Sequence, residues 1–225
     1  MNQGFTYAVD LVLVIDATGS MSSIIERVKS GALTFHEELG KIMAEKDKHV
    51  DELRVRVVVF RDFYARDEDA LVASDFFALP DQQEEYARFV NGIRATGGGD
   101  EPESSLEALV TAMRSDWTTS GTKRRHVIVV WTDASGHPLE KNAGAKPSNY
   151  PPDMPADFDE LTDLWEGQDA INAVSKRLVI FAPDAYAWTD IANHWEQTVH
   201  YASNAGAGLS EVDDRTILES IVNSV

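Results

Sequence analysis

The sequence predicts an α/β fold: a doubly wound, mostly parallel sheet with helices on both faces and one short antiparallel edge strand. Three observations lead there. Short apolar, β-branched runs alternate along the chain with longer amphipathic ones, as strand–helix–strand crossovers require. The first apolar run, VDLVLVI (9–15), has no polar alternate face beyond Asp10, which marks a central strand covered on both sides. Oxygen-bearing side chains then gather just after such runs, where open α/β sheets bind ligands.

After that first strand, residues 22–46 set Ile24, Ile25, Val28, Leu33, Phe35, Leu39, Ile42 and Met43 close to the helical repeat, predicting a long surface helix. LRVRVVVFRDF (53–63), HVIVVWTD (126–133) and RLVIFAP (177–183) read as further strands, and DALVASDFFAL (69–79) as the short edge strand. The intervening helices are expected over 81–95, 102–117, 158–176 and 214–225. Residues 134–157 hold five of the eight prolines, show no periodicity and follow a strand end. A loop this long inside a compact domain is usually functional, so it reads as a decorated rim and not a linker. Residues 1–225 are accordingly expected to form a single domain.

Composition limits the functions available. The chain carries 38 acidic and 20 basic side chains, a formal charge of −18, which repels a nucleic-acid backbone and an anionic membrane surface while attracting cations or a basic partner. It has no cysteine, so disulfides and thiolate metal sites are excluded. With no signal-like amino-terminal segment and no run of transmembrane length, a cytoplasmic protein is expected.

Three strand-end loops carry the chemistry. IDATGSM offers Asp16, Thr18 and Ser20; ATGGGDEPESS (95–105) offers Asp100 and Glu103; VVWTDASGH (129–137) offers Asp133. Hydroxyl and carboxylate oxygens without sulfur suit a hard cation such as Mg²⁺, which prefers six oxygens and keeps some as water. Each loop also has a plainer reading. Thr18 and Ser20 fit the cap of the next helix, Asp100 and Glu103 have capping-box spacing around Pro102, and Asp133 suits a turn. What favours a shared site is that all three groups fall at strand ends that can meet.

DATGSM resembles the Asp-x-Ser/Thr-x-Ser signature of von Willebrand factor A domains, whose metal-ion-dependent adhesion site lies on the carboxyl edge of a Rossmann-like sheet. The middle loop is similar to the Asp-x-Pro-Glu loop of integrin β I-like domains, and VVWTDASGH to the segment bearing their distal aspartate. The resemblance implies that Thr18, Ser20 and Glu103 bind Mg²⁺ or Mn²⁺, more than Ca²⁺, with Asp16 and Asp133 acting directly or through water. An aspartate or glutamate of a partner protein would complete the shell, without turnover. Where integrin β-type domains carry two further acids for a neighbouring Ca²⁺ site, this chain has MSSII, so that site is not expected. Asp62 with Asp100 resembles part of another neighbouring site, and Thr96 is the nearest equivalent of the middle-loop threonine other members use. The resemblance also implies a stand-alone bacterial protein, of a kind that works beside kinase or phosphatase partners, and a last helix (214–225) able to move on binding.

Two rival readings remain at the level of sequence. A metal-assisted hydrolase using Asp133 and His137 is the first; no phosphate-binding lysine loop, dinucleotide fingerprint or G-x-S-x-G is present to strengthen it. A scaffold whose oxygens only cap helices is the second. Tyr150, Trp165 and Trp188 suit either partner contacts or helix packing.

Overall fold

The computed structural model describes residues 7–45, 49–99, 101–141, 143–167, 171, 174–203 and 219. Its centre is a seven-stranded sheet in the order β3 (Leu71–Ala73), β2 (Glu52–Phe60), β1 (Tyr7–Asp16), β5 (Lys123–Trp131), β6 (Lys176–Pro183), β7 (Thr198–Ser203), with β4 (Phe77–Leu79) also pairing β2. Strands β1, β2, β5, β6 and β7 run parallel. Every residue of β1 is buried, because successive side chains feed two separate cores. Val9, Leu11, Leu13 and Ile15 meet Val28, Phe35, Leu39 and Met43 of α1 (Ile25–Glu45), along with Tyr86 and Val90 of α2 (Gln83–Gly92). Val12 and Val14 meet α3 (Ser105–Met113), α4 (Phe158–Gly167) and α5 (Trp188–His194) on the opposite face. Helices therefore cover both faces, as the alternation of runs predicts.

Asp10 is the polar exception on β1. It is 1% exposed, and its two oxygens take Arg54 Nε and Nη2 at 2.8 and 2.6 Å while the Thr118 amide donates at 2.7 Å.

The edge differs from expectation in detail. Residues 69–79 form two short strands, β3 (Leu71–Ala73) and β4 (Phe77–Leu79), both antiparallel to β2. Ser74 divides them: its amide donates to Val57 O at 2.9 Å, and its hydroxyl accepts the Val57 amide at 3.0 Å, substituting a side chain for the backbone ladder. Strand β7 and helix α5 lie outside the expected elements. Helix α3 starts at Ser105, later than the predicted 102, and α4 ends at Gly167, with 168–170 and 172–173 outside the described residues. The predicted helix 214–225 also lies outside them, apart from Glu219. Among the described residues no helix is long and apolar enough to cross a membrane.

Register places the site. Asp16 pairs with Phe60 and Ile15 with Trp131, so the carboxyl ends of β1, β2 and β5 stand at one level and their three loops open onto one edge.

Candidate metal centre

Asp16 closes β1 with no exposure to solvent. Its Oδ1 accepts the Thr18 amide at 2.9 Å and the Thr18 hydroxyl at 2.6 Å, and its Oδ2 accepts the Thr132 hydroxyl at 2.6 Å. Burial pushes this carboxyl up to about 6, against the opposing effect of those hydrogen bonds. The chain then enters a 3-10 turn, Gly19–Ser23, with Thr18 at its amino cap. The Thr18 side chain does not cap that turn, because its hydroxyl is committed to Asp16.

Ser20 Oγ donates to Asp133 Oδ1 at 2.9 Å and lies 3.0 Å from Thr18 Oγ1. A hydroxyl has one proton to give. With Thr18 serving Asp16 and Ser20 serving Asp133, the two hydroxyl oxygens face each other with lone pairs only. That disposition suits a cation, and it ties the first loop to the third.

Glu103 belongs to the second loop. Its amide donates to Ser135 O at 3.0 Å and its carbonyl accepts the His137 amide at 2.9 Å, a short parallel bridge joining the second loop to the third. The side chain is 4% exposed, and its Oε2 is buried with no hydrogen-bond partner. Burial raises its carboxyl to about 9, reinforced by the nearby charges of Asp16, Asp62, Asp67 and Asp133. Asp133 is also raised, by burial first and then by Glu101, while the Ser20 hydroxyl pulls the other way.

A glycine makes the approach possible. Gly98 adopts φ +74°, and a Cβ placed there would stand 2.9 Å from both Glu103 Oε1 and Thr18 Cβ, so both side chains close on its bare backbone. The glycine loop is pinned by the Gly19 amide on Gly97 O at 3.0 Å, and by the Gly98 amide on Asp67 Oδ2 at 2.7 Å.

Asp16–Thr18 and Ser20–Asp133 thus form two hydrogen-bonded pairs whose hydroxyl oxygens lie 3.0 Å apart, and Glu103 reaches the same loop at Gly98. Among the described residues no ion pair joins Asp16, Glu103 or Asp133 to a basic side chain. Nor do three His, Asp or Glu side chains group tightly enough to hold a metal by themselves. The oxygen set depends on its two hydroxyls. Asp62 is engaged elsewhere: His137 Nε2 lies 3.0 Å from its Oδ1, and the Ser104 hydroxyl donates to it at 3.1 Å. Thr96 is exposed and held through its backbone, its amide on Ala17 O at 2.9 Å. Asp100 lies outside the described residues. Trp165 and Trp188 are 1% and 0% exposed and pack in the core, and the Tyr150 hydroxyl donates to Glu107 Oε1 at 2.7 Å. His137 is 8% exposed with both ring nitrogens in contact, Nε2 with Asp62 and Nδ1 with Lys141.

Sequence reasoning missed Thr132, Asp67 and Gly98. Thr132 stands beside Asp133 and was open to suspicion as a hydroxyl at a strand tip. Asp67 carries no local signal, because it reaches the site through a turn.

A mostly parallel open sheet flanked by helices, with hydroxyl and carboxylate oxygens gathered at its carboxyl edge, defines a Rossmann-like α/β module. Residues 10–144, well over half of the chain, match the von Willebrand factor A domain, and the chain belongs to that family. It is 30% identical over 159 residues to the alpha-protein kinase vwkA of Dictyostelium discoideum, an alignment covering 69% of this chain and 23% of that protein. It is 27% identical over 130 residues to the putative ariadne-like RING finger protein R811 of Acanthamoeba polyphaga mimivirus, covering 57% of this chain and 11% of that one. The chain thus spans less than a quarter of either relative. Among solved structures, the open conformation of the pilus adhesin SpaC from Lactobacillus rhamnosus GG superposes with a TM-score of 0.56 at 14% identity, over 98% of this chain and 30% of that chain. That likeness is one of fold.

Proposed function

We propose that this domain binds another protein through a divalent cation, Mg²⁺ or Mn²⁺, held by Thr18, Ser20 and Glu103, with Asp16 and Asp133 supporting directly or through water. The observation that carries the reading is the Glu103 carboxyl: buried, unpartnered at Oε2, surrounded by acidic charge, and packed against Gly98 from the same side as Thr18, whose hydroxyl proton is already committed to Asp16. Glu103 set among Asp16, Asp62, Asp67 and Asp133 is stabilised by a cation, which accounts for the convergence of acids better than helix capping does. When bound, the ion supplies an electrophilic coordination position. The protein's residues hold it in place and keep basic competitors away.

A partner aspartate or glutamate is the fitting occupant, because the cation locally reverses the sign of a surface that otherwise repels acids. The domain acts by binding and without turnover. The kinase and RING finger names of the relatives suit a recruiting module within kinase-linked or similar assemblies. A cytoplasmic setting suits the cysteine-free sequence.

The test is calorimetric titration of metal-stripped protein with Mg²⁺ and Mn²⁺. We expect one ion per chain, lost in Asp16→Ala and Glu103→Ala and retained in Asp100→Ala. No uptake, or uptake indifferent to Glu103, refutes the assignment.

A further inference from the structure

The polar groups beneath the rim of the long loop form a second, linear network that the metal reading does not use. Asp62 follows β2, His137 lies at the end of the third site loop, and Lys141 is four residues further on. His137 Nε2 is 3.0 Å from Asp62 Oδ1, and Lys141 Nζ is 3.0 Å from His137 Nδ1. An ammonium has donors only, so Nδ1 accepts from Lys141, and the ring proton sits on Nε2 and is donated to Asp62. In this arrangement the ring stands between an ammonium and a carboxylate. Tyr64 braces it from the side, its ring 4.5 Å from the imidazole in an edge-on contact and 3.5 Å beneath the Lys141 ammonium.

Two members of this line are bonded to the second site loop. Asp62 Oδ1 also accepts the Tyr64 amide at 3.0 Å and the Ser104 hydroxyl at 3.1 Å, and Ser104 follows Glu103 directly. The Ser104 hydroxyl accepts the Phe63 amide at 3.0 Å, and its own amide donates to Arg61 O at 3.2 Å. The His137 amide donates to Glu103 O at 2.9 Å. His137 thus bonds through its backbone to Glu103 and through its ring to the carboxylate that holds Ser104, the next residue.

We propose that Asp62, His137 and Lys141 act together as a positioning strut that fixes Glu103 between the β2 and β5 loops, so that the oxygen set stands assembled before any ion arrives. The proposal rests on the metal-site reading above for its consequence, but not for its geometry. Outer groups that orient a ligand influence metal affinity by about ten- to a hundredfold. Lys141 is the informative position, since it is partly exposed and touches none of the ion-binding oxygens. Lys141→Met keeps the stem and removes the donor; Lys141→Arg restores one.

The experiment combines Mn²⁺ titration with nitrogen-15 NMR of the His137 ring in metal-free protein, on the parent, His137→Ala, Lys141→Met and Lys141→Arg. We expect the Nε2-protonated tautomer in the parent, a changed Nδ1 signal in Lys141→Met and recovery in Lys141→Arg. Mn²⁺ affinity should fall about tenfold in His137→Ala, less in Lys141→Met, and return toward the parent value in Lys141→Arg. A ring protonated on Nδ1, or folded His137→Ala and Lys141→Met proteins that hold Mn²⁺ as tightly as the parent, overturns the strut. If the parent takes up no Mn²⁺, the metal reading fails by itself. The strut is then decided by amide exchange at Glu103, Ser104 and His137: faster exchange in Lys141→Met supports it, and unchanged exchange overturns it.

Discussion

Glu103 places an acid at only 4% exposure among neighbours that are acids too. Its carboxyl is raised from 4.5 to about 9, so between those values the folded protein holds a proton that the unfolded chain has released. Stability from this group is complete below the unfolded value and is lost as pH rises toward the folded one. Asp16, raised from 3.8 to about 6, acts in the same direction over the lower part of the window. Metal-free protein should therefore melt at progressively lower temperature from pH 5 to pH 9, and Glu103→Gln should flatten that slope. A parent melting temperature that climbs over the same range would contradict the burial argument. Asp16, Thr18, Ser20 and Asp133 were legible as strand-end oxygens because strand ends can be read from apolar runs. Thr132 and Asp67 were not, because a hydroxyl donating to Asp16 from another strand, and a carboxylate reaching Gly98 from a turn, are contacts made only by tertiary folding.

At the scale of elements, β1 is held by its neighbours through one charged pair as well as by apolar faces. Asp10 is buried and bound on both oxygens by Arg54, which also covers the Phe76 ring at 4.4 Å. Removing the guanidinium strands a buried carboxylate, a far larger loss than a surface pair incurs. Breaking a buried pair costs about 3–5 kcal/mol; since the Arg54 side chain keeps 30% exposure the low end applies, and Arg54→Met should cost about 3 kcal/mol in urea unfolding. A change within a few tenths would show that Thr118 alone satisfies Asp10. The long apolar strands and α1 announced themselves through periodicity sustained over many residues. The division of residues 69–79 into β3 and β4 did not, because it depends on one serine hydroxyl replacing a ladder bond. Strand β7 was missed for a similar reason: TVHYAS is an edge segment with mixed polarity, and its pairing with β6 supplies what its composition does not.

Across the whole molecule, the site sits within a formal charge of −18, and basic side chains are diverted from it. Lys141 is turned to His137, Arg54 to Asp10, and Arg61 to the carbonyls of Asp69, Arg94 and Thr96. The global charge was fully legible in the sequence; its local arrangement was not, because which cation neutralises which anion is decided by folding. On the proposed reading, a divalent cation approaching this surface is attracted both by the oxygens it would touch and by the distant acids, and the second contribution is the one screened by salt, over a Debye length of about 10 Å at 0.1 M. Mg²⁺ affinity should consequently weaken as NaCl rises from 50 to 500 mM at fixed pH, by more than activity corrections explain. Charge-neutralising substitutions far from the site, such as Glu84→Gln with Glu85→Gln on α2, should reduce that salt dependence while leaving high-salt affinity unchanged. Calorimetry at the two salt levels separates the contributions, and an affinity indifferent to salt would confine the attraction to the contacting oxygens alone.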